Sequence, residues 1–188
     1  MSQMYCPACG GQSDTQAVQR DGKQLTECTT CGLVLDSSEA KEYEPISEIL
    51  FADDSDLLRV AIEDVLLDKQ LAKSVLAAHN GQEFLVHFTK RLREGKPVDV
   101  IMLDVQMPVM NGFNAAVALR AIEKGFDKAP TPLIFFSSQP CDDTAKKVLK
   151  FCGRAIYVNK VASPNLAELA GRVEQVLVNL LTKGSAGA

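Results

Sequence analysis

Short apolar runs alternate with segments that have apolar residues at helical spacing, from residue 46 to residue 182. The runs that resemble buried strands are 46–52, 73–78, 98–103, 132–136 and 155–158. The segments that predict amphipathic helices are 56–67, 82–94, 113–124, 142–151 and a last one that begins near residue 163. Five successive βα units predict an α/β fold, with a doubly wound five-stranded parallel sheet covered by helices on both faces.

Polar residues mark the two ends of this pattern. Ser163 is a good helix N-cap and Pro164 suits the first helical position, so the last helix is expected to begin there. Residues 37–45 are polar and charged and end in proline, which indicates a linker. The chain therefore divides into a cysteine module (residues 1–36), the linker (37–45), the α/β domain (46–182) and a flexible tail (183–188).

Charged residues follow three of the predicted strands. Asp53 and Asp54 end the first strand, Asp104 ends the third and Lys160 follows the fifth. In an open parallel sheet, ligands bind outside the carboxyl ends of the strands, so these side chains are expected to meet there. Three carboxylates in one pocket repel one another unless a cation joins them. The arrangement therefore predicts Mg²⁺ and an anionic ligand such as phosphate.

The cysteine module contains two Cys-x-x-Cys-Gly knuckles, Cys6 to Cys9 and Cys28 to Cys31. Four thiolates in this arrangement are the usual ligand set of a structural Zn²⁺. A pair of redox-active dithiols would need a surrounding βαβ pattern, which the module lacks, whereas rubredoxin-like iron binding is chemically open. About 36 residues cannot bury a sufficient core alone, so the metal is expected to supply the folding energy.

Composition limits the function classes. Of the 188 residues, 46% are hydrophobic and 23% charged, and the net charge is −4. Residues 1–45 hold three basic and seven acidic side chains, so neither part has the basic surplus that nonspecific nucleic-acid binding needs. No apolar run reaches the roughly 18–20 residues of a membrane span, and the start has no signal-peptide character. We predict a cytoplasmic protein that binds neither membrane nor nucleic acid directly.

Residues 46–182 resemble the CheY-like receiver domain of two-component response regulators, which has a flavodoxin-like fold. The matching segments, in the family's order, are Ile-Leu-Phe-Ala-Asp-Asp-Ser, Ala-Ala-His-Asn-Gly-Gln-Glu-Phe, Val-Ile-Met-Leu-Asp-Val-Gln-Met-Pro-Val-Met-Asn-Gly, Pro-Leu-Ile-Phe-Phe-Ser-Ser and Tyr-Val-Asn-Lys. The resemblance implies that Asp104 accepts a phosphoryl group and that Lys160 pairs with a phosphoryl oxygen. It also implies Mg²⁺ ligands, namely Asp53, Asp54, Asp104 and the backbone carbonyl of Gln106.

The same resemblance implies a switch. The Ser137 hydroxyl would move toward the phosphoryl group, and Tyr157 would change rotamer on the face formed by the fourth helix, fifth strand and fifth helix. Counting back from Lys160 selects Ser138 instead of Ser137. Val161 stands where the family usually has proline, which puts the position of Lys160 in question.

The function implied is a phosphorelay response regulator. A histidine kinase or phosphotransfer protein would donate the phosphoryl group, and an unknown downstream protein would recognise the phosphorylated form. No enzymatic activity beyond self-catalysed phosphotransfer and dephosphorylation is expected. One alternative is a pseudo-receiver scaffold that works without phosphorylation. Another is a transcription accessory factor, because Cys-Thr-Thr-Cys-Gly-Leu-Val-Leu-Asp is similar to the zinc ribbon of basal transcription factor B, which docks on RNA polymerase.

Overall fold

The computed structural model describes residues 3–20, 23–35, 44–96, 98–161 and 165–184. Its first part is a three-stranded antiparallel sheet made of β1 (Gln3–Cys6), β2 (Gly11–Arg20) and β3 (Lys23–Cys28). The remaining elements are β4 (Ile49–Ala52), α1 (Asp56–Asp68), β5 (Val75–Ala78), α2 (Gly81–Arg93), β6 (Val100–Asp104), α3 (Gly112–Gly125), β7 (Leu133–Ser137), α4 (Asp143–Cys152), β8 (Ala155–Asn159) and α5 (Leu166–Gly184).

The second sheet is parallel and has the strand order β5-β4-β6-β7-β8. Every residue of β4, β6 and β7 is buried, which explains why these strands are continuously apolar in sequence. Helix α1 contacts α5, while α2, α3 and α4 contact one another in series, as expected for helices on two faces of a doubly wound sheet. The predicted α/β fold is confirmed.

Polar capping residues precede the first four helices of this domain. Ser55, Asn80, Asn111 and Asp142 each accept a hydrogen bond in the first turn of α1, α2, α3 and α4, respectively. The predicted cap Ser163 and Pro164 lie outside the described residues. Helix α5 begins at Leu166, and the Asn165 Oδ1 atom accepts a hydrogen bond from the Glu168 amide at 2.9 Å.

The first parallel strand is shorter than its apolar run. Ile46 forms only an isolated bridge with Ala72, and the amides of Ser47 and Glu48 donate to the Asp99 carboxylate. The Asp99 side chain therefore accepts the hydrogen bonds that a neighbouring strand would otherwise accept, and β4 begins at Ile49. Most of the predicted linker and the end of the predicted tail, residues 36–43 and 185–188, lie outside the described residues, so the segment boundaries stay predictions.

The antiparallel sheet shares its apolar core with the parallel sheet. Leu33 and Leu35, which follow the second knuckle, are buried in the same cluster as the strands of the parallel sheet. Cys152 is buried in this cluster as well. Among the residues that the structure describes, no helix combines the length and apolar character needed to cross a membrane.

Candidate functional site

Three carboxylates meet at the carboxyl edge of the parallel sheet. Asp53 follows β4 and Asp104 ends β6, and these two strands are direct neighbours. Asp53 is completely buried and Asp104 is 4% exposed, whereas Asp54 faces solvent. One carboxylate oxygen from each of the three residues lies within 4.8 Å of the others. The predicted gathering of these acidic side chains is therefore found in the structure.

Lys160 provides a cation between the two buried carboxylates. Its Nζ atom lies 2.6 Å from Asp53 Oδ2 and 3.0 Å from Asp104 Oδ1. The ammonium group also lies 5.2 Å from the centroid of the Phe136 ring. Val161 is 67% exposed and does not displace Lys160 from the carboxylates. One ammonium facing three carboxylates leaves this pocket with excess negative charge, which suits a divalent cation.

A backbone amide and a buried arginine also hold Asp53 in place. Asp53 Oδ1 accepts a hydrogen bond from the Ser55 amide at 3.0 Å. The Arg59 guanidinium, which is buried, donates to the Asp53 carbonyl oxygen and to the Asp56 carboxylate. Sequence reasoning missed Arg59. The available signal was its position three residues before Ile62, on the buried stripe of α1.

The main chain of Asp104 is enclosed by the loop that leads to α3. A Cβ atom at Gly112 would lie 2.0 Å from the Asp104 carbonyl oxygen, so only glycine allows this approach. Burial raises the pKa of the Asp104 carboxyl above its ordinary value; the nearby Lys160 lowers it and Asp53 raises it. A backbone interaction with the exposed Gln106 also lowers the pKa of the Asp104 carboxyl. The predicted role of the Gln106 carbonyl as a ligand stays a prediction.

The sequence model of the family described as the response regulator receiver domain matches residues 49–171. The chain belongs to this family. A similar curated protein is the protein-glutamate methylesterase/protein-glutamine glutaminase of Bacillus subtilis (strain 168), 32% identical over 142 residues, which are 74% of this chain and 36% of that protein. The chain spans between 21% and 36% of the length of the first three curated relatives that it matches.

Solved structures agree with this assignment. The receiver domain of the histidine kinase CKI1 from Arabidopsis thaliana, complexed with Mg²⁺ and BeF₃⁻, is 26% identical with a TM-score of 0.54, and the match covers 69% of this chain and 89% of that chain. The response regulator domain of Thermotoga maritima CheB is 25% identical with a TM-score of 0.55, and the match covers 73% of this chain and 97% of that chain. The predicted receiver fold is thus confirmed.

Ser137 is the better placed of the two candidate hydroxyls in this receiver. It ends β7, is completely buried, and accepts a hydrogen bond from the Gln139 amide at 3.1 Å, whereas Ser138 is exposed. The Lys160 amide donates to the Ser137 carbonyl oxygen at 2.7 Å, which holds the end of β7 beside the segment that carries Lys160. This geometry favours Ser137, and its role in switching stays a prediction.

Tyr157 of the receiver is 2% exposed, so its ring is buried. Its hydroxyl donates to the Gln139 carbonyl oxygen at 2.9 Å. Burial raises the pKa of Tyr157, which keeps the hydroxyl protonated as a donor at neutral pH. The side chain therefore ties β8 to the loop after Ser137, and its rotamer change on phosphorylation stays a prediction.

The four knuckle cysteines form a second cluster at the start of the chain. The Cys6 and Cys31 sulfurs lie 3.5 Å apart, and those of Cys9 and Cys28 lie 3.8 Å apart. Four sulfurs at about 2.3 Å from a tetrahedral Zn²⁺ would lie about 3.8 Å from one another, so the spacing fits this ion. Hydrogen bonding to Cys28 raises the pKa of the Cys31 thiol, and hydrogen bonding to Cys31 lowers that of the Cys28 thiol.

Asp104→Asn is expected to stabilise the metal-free receiver at neutral pH by roughly 0.5–2 kcal/mol, because it removes one buried carboxylate from an over-acidic pocket. The pKa of folded Asp104 lies above that of an unfolded aspartate, near 3.8. The ionised Asp104 carboxylate therefore destabilises the folded protein at pH values above its folded pKa. This destabilisation disappears as the pH falls toward the pKa of the unfolded aspartate.

Urea unfolding from neutral to acidic pH measures this effect. The advantage of Asp104→Asn should shrink as the pH is lowered. Asp143→Asn, at a carboxylate that is 93% exposed, is the matched control and should change little at any pH. A variant no more stable than the wild type at neutral pH would show that Lys160 already compensates both carboxylates.

Proposed function

We propose that this chain is a phosphorelay response regulator in which Asp104 accepts a phosphoryl group from a histidine kinase or phosphotransfer protein. The observation that carries the proposal is the position of the Lys160 ammonium, between Asp53 and Asp104 at the carboxyl edge of a receiver sheet. The phosphorylated form would then be recognised by a downstream protein. The cytoplasmic location predicted from the sequence is part of the same proposal.

Mg²⁺ fits the donor set at this edge. The carboxylates of Asp53, Asp54 and Asp104 and the carbonyl oxygen of Gln106 are hard oxygen ligands of the kind that Mg²⁺ prefers. The excess negative charge around Lys160 is a second reason for a cation here. When bound, Mg²⁺ would neutralise charge on the transferring phosphoryl group. The CKI1 receiver, whose structure contains Mg²⁺ and BeF₃⁻, supports this assignment by similarity.

The proposed reaction uses groups that the pocket already holds. An Asp104 carboxylate oxygen attacks the phosphorus of a phosphohistidine; a P–O bond forms as the P–N bond breaks, and the imidazole nitrogen keeps the electron pair. The Lys160 ammonium then pairs with a phosphoryl oxygen in place of the Asp104 carboxylate. The Ser137 hydroxyl donates a hydrogen bond to another phosphoryl oxygen. Positioning and charge neutralisation supply most of the catalysis in transfers of this class.

Zn²⁺ is the proposed metal of the cysteine cluster, held by Cys6, Cys9, Cys28 and Cys31. The sulfur spacing supports a tetrahedral site, and iron would be held by the same thiolates. Cys6, Cys28 and Cys31 have no exposed surface, which favours a structural ion over a catalytic one. The alternative of polymerase docking through this module would be tested by capture of RNA polymerase on the full chain.

Modification by acetyl phosphate tests the phosphoacceptor proposal. The wild type is expected to gain the mass of one phosphoryl group only when Mg²⁺ is present, and Asp104→Asn is expected to gain none. Asp143→Asn, an exposed carboxylate on α4, should behave as the wild type. An unmodified wild type that also fails to bind beryllofluoride would favour the pseudo-receiver scaffold, and labelling that survives in Asp104→Asn would place the acceptor elsewhere.

A further inference from the structure

The cysteine module is tied to the two receiver segments that carry Ser137 and Lys160. We call residues 6–9 the first knuckle and residues 28–31 the second knuckle. The first knuckle contacts the end of β8, one residue before Lys160, and the second contacts the loop after β7, four residues beyond Ser137. These contacts link chain positions more than 100 residues apart and go beyond what the receiver fold itself requires.

Arg172 of α5 holds the first knuckle. It is 2% exposed, and its guanidinium donates to the carbonyl oxygens of Pro7 and Ala8, both at 2.7 Å. The same guanidinium donates to the Asn159 carbonyl oxygen at 2.9 Å. The Asn159 amide in turn donates to the Ala8 carbonyl oxygen at 3.0 Å. The residue that precedes Lys160 is therefore bonded to the first knuckle directly and through Arg172.

Cys141 connects the second knuckle to the other loop. Its thiol donates to the Thr30 carbonyl oxygen at 3.4 Å. Two residues earlier, the Gln139 carbonyl oxygen accepts a hydrogen bond from the Tyr157 hydroxyl. The Gln139 amide donates a hydrogen bond to the Ser137 hydroxyl. A short path of bonds thus leads from Ser137 to the second knuckle.

We infer that the metal-bound cysteine module restrains the phosphoacceptor site, so that metal binding to the four cysteines and phosphorylation of Asp104 oppose each other. The inference rests on the proposed function. Phosphorylation would add roughly 1.5–2 negative charges beside Asp104. Lys160 and Ser137 would then have to reposition to contact the phosphoryl oxygens. The bonds from these segments to the knuckles already have near-optimal lengths, so such movement weakens them. Arg172 is the positioning residue that transmits this restraint.

Linkage makes the effect reciprocal. If a phosphoryl group weakens metal binding by some factor, the metal must weaken binding of the phosphoryl analogue by the same factor. Coupling between two protein sites is typically about 5- to 150-fold in affinity. A value in this range is expected here, because two separate bond paths connect the knuckles with the site.

The test measures both halves of the linkage on the full chain. Zn²⁺ affinity is measured by competition with a chelator in Mg²⁺ buffer, with and without beryllofluoride. Beryllofluoride affinity is measured with and without Zn²⁺. In the wild type, each ligand is expected to lower the affinity of the other by at least fivefold and by matching factors. Unchanged affinities, or affinities that rise together, would overturn the inference.

Substitutions then show which hydrogen bonds carry the coupling between the knuckles and the phosphoacceptor site. Arg172→Met is expected to bind both ligands with a coupling that is clearly lower but not abolished, because the bond from the Asn159 amide to Ala8 and the Cys141 tether remain. Arg120→Met is the matched control, because Arg120 also donates to backbone carbonyls, those of Thr131 and Cys152, but it lies away from the knuckles. Coupling in this control should equal that of the wild type. Cys141→Ala, which removes only the second tether, should lower the coupling partly and covers the case in which Arg172→Met fails to fold.

The outcomes distinguish this inference from the phosphoacceptor and metal proposals on which it rests. If beryllofluoride with Mg²⁺ does not bind the wild type, the phosphoacceptor proposal fails and the coupling fails with it. If Zn²⁺ does not bind, the metal assignment fails with the same consequence. If both bind and neither changes the affinity of the other, only the coupling is overturned. Full coupling in both Arg172→Met and Cys141→Ala would reject the two bond paths.

Discussion

Removing the metal from the cysteine cluster is expected to unfold β1, β2 and β3 while the five-stranded parallel sheet stays folded. A structural Zn²⁺ site supplies an apparent binding free energy of about 10–16 kcal/mol, and this is folding energy when the site does not exist in the unfolded chain. The module is too short to bury a sufficient core alone. Every residue of β4, β6 and β7 is buried, so the parallel sheet is expected to stay folded when the metal is removed.

Hydrogen exchange with and without a chelator measures this result. Amides of β2 and β3 should lose their protection, and those of β6 and β7 should keep it. Cys31→Ala should reproduce the effect and bring the zinc content from one ion per chain to nearly none. Cys152→Ala, at a buried cysteine outside the cluster, should retain the ion. Protection that survives in β2 and β3 without metal would mean that the apolar contacts of Leu33 and Leu35 suffice to fold the module.

The fold could be predicted because its signals are local. Each buried strand is a short apolar run in the sequence, and a capping residue precedes each of α1, α2, α3 and α4. The alternation of strands and helices can therefore be recognised from the sequence. The acidic pair and Asp104 could be placed together because parallel strands bring their carboxyl ends to one edge. The cysteine cluster could be predicted because the spacing within each knuckle constrains its two ligands.

The remaining features depend on contacts between distant residues. Arg172 lies 164 positions from Ala8, and sequence alone gives no means of matching a guanidinium with a backbone carbonyl. The one available signal was a charged residue between Leu169 and Val176 on the apolar stripe of α5. The start of β4 could not be predicted for the same reason. There the Asp99 carboxylate accepts hydrogen bonds from two backbone amides that would otherwise bond to a neighbouring strand.

Lys160→Met is expected to destabilise the metal-free protein by about 3–5 kcal/mol, because it leaves the buried Asp53 and Asp104 carboxylates without their shared counter-ion. Lys160 lowers the pKa of Asp104, so its loss raises that pKa further. The cost is therefore greatest above the folded pKa and declines as the pH falls and Asp104 takes up a proton. Phosphorylation by acetyl phosphate should also be lost or greatly slowed, since no ammonium remains to pair with the phosphoryl group.

Urea unfolding with and without Mg²⁺ distinguishes an electrostatic cause from lost packing. The proposed Mg²⁺ site uses the same carboxylates, so Mg²⁺ should restore more stability to Lys160→Met than it adds to the wild type. Lys69→Met is the matched control: Lys69 pairs with Glu174, but both side chains are substantially exposed, so its loss should cost no more than about 1 kcal/mol. If Mg²⁺ stabilised Lys160→Met no more than the wild type, the contact of the Lys160 side chain with the Phe136 ring, and not its pairing with the carboxylates, would be what stabilises this edge of the sheet.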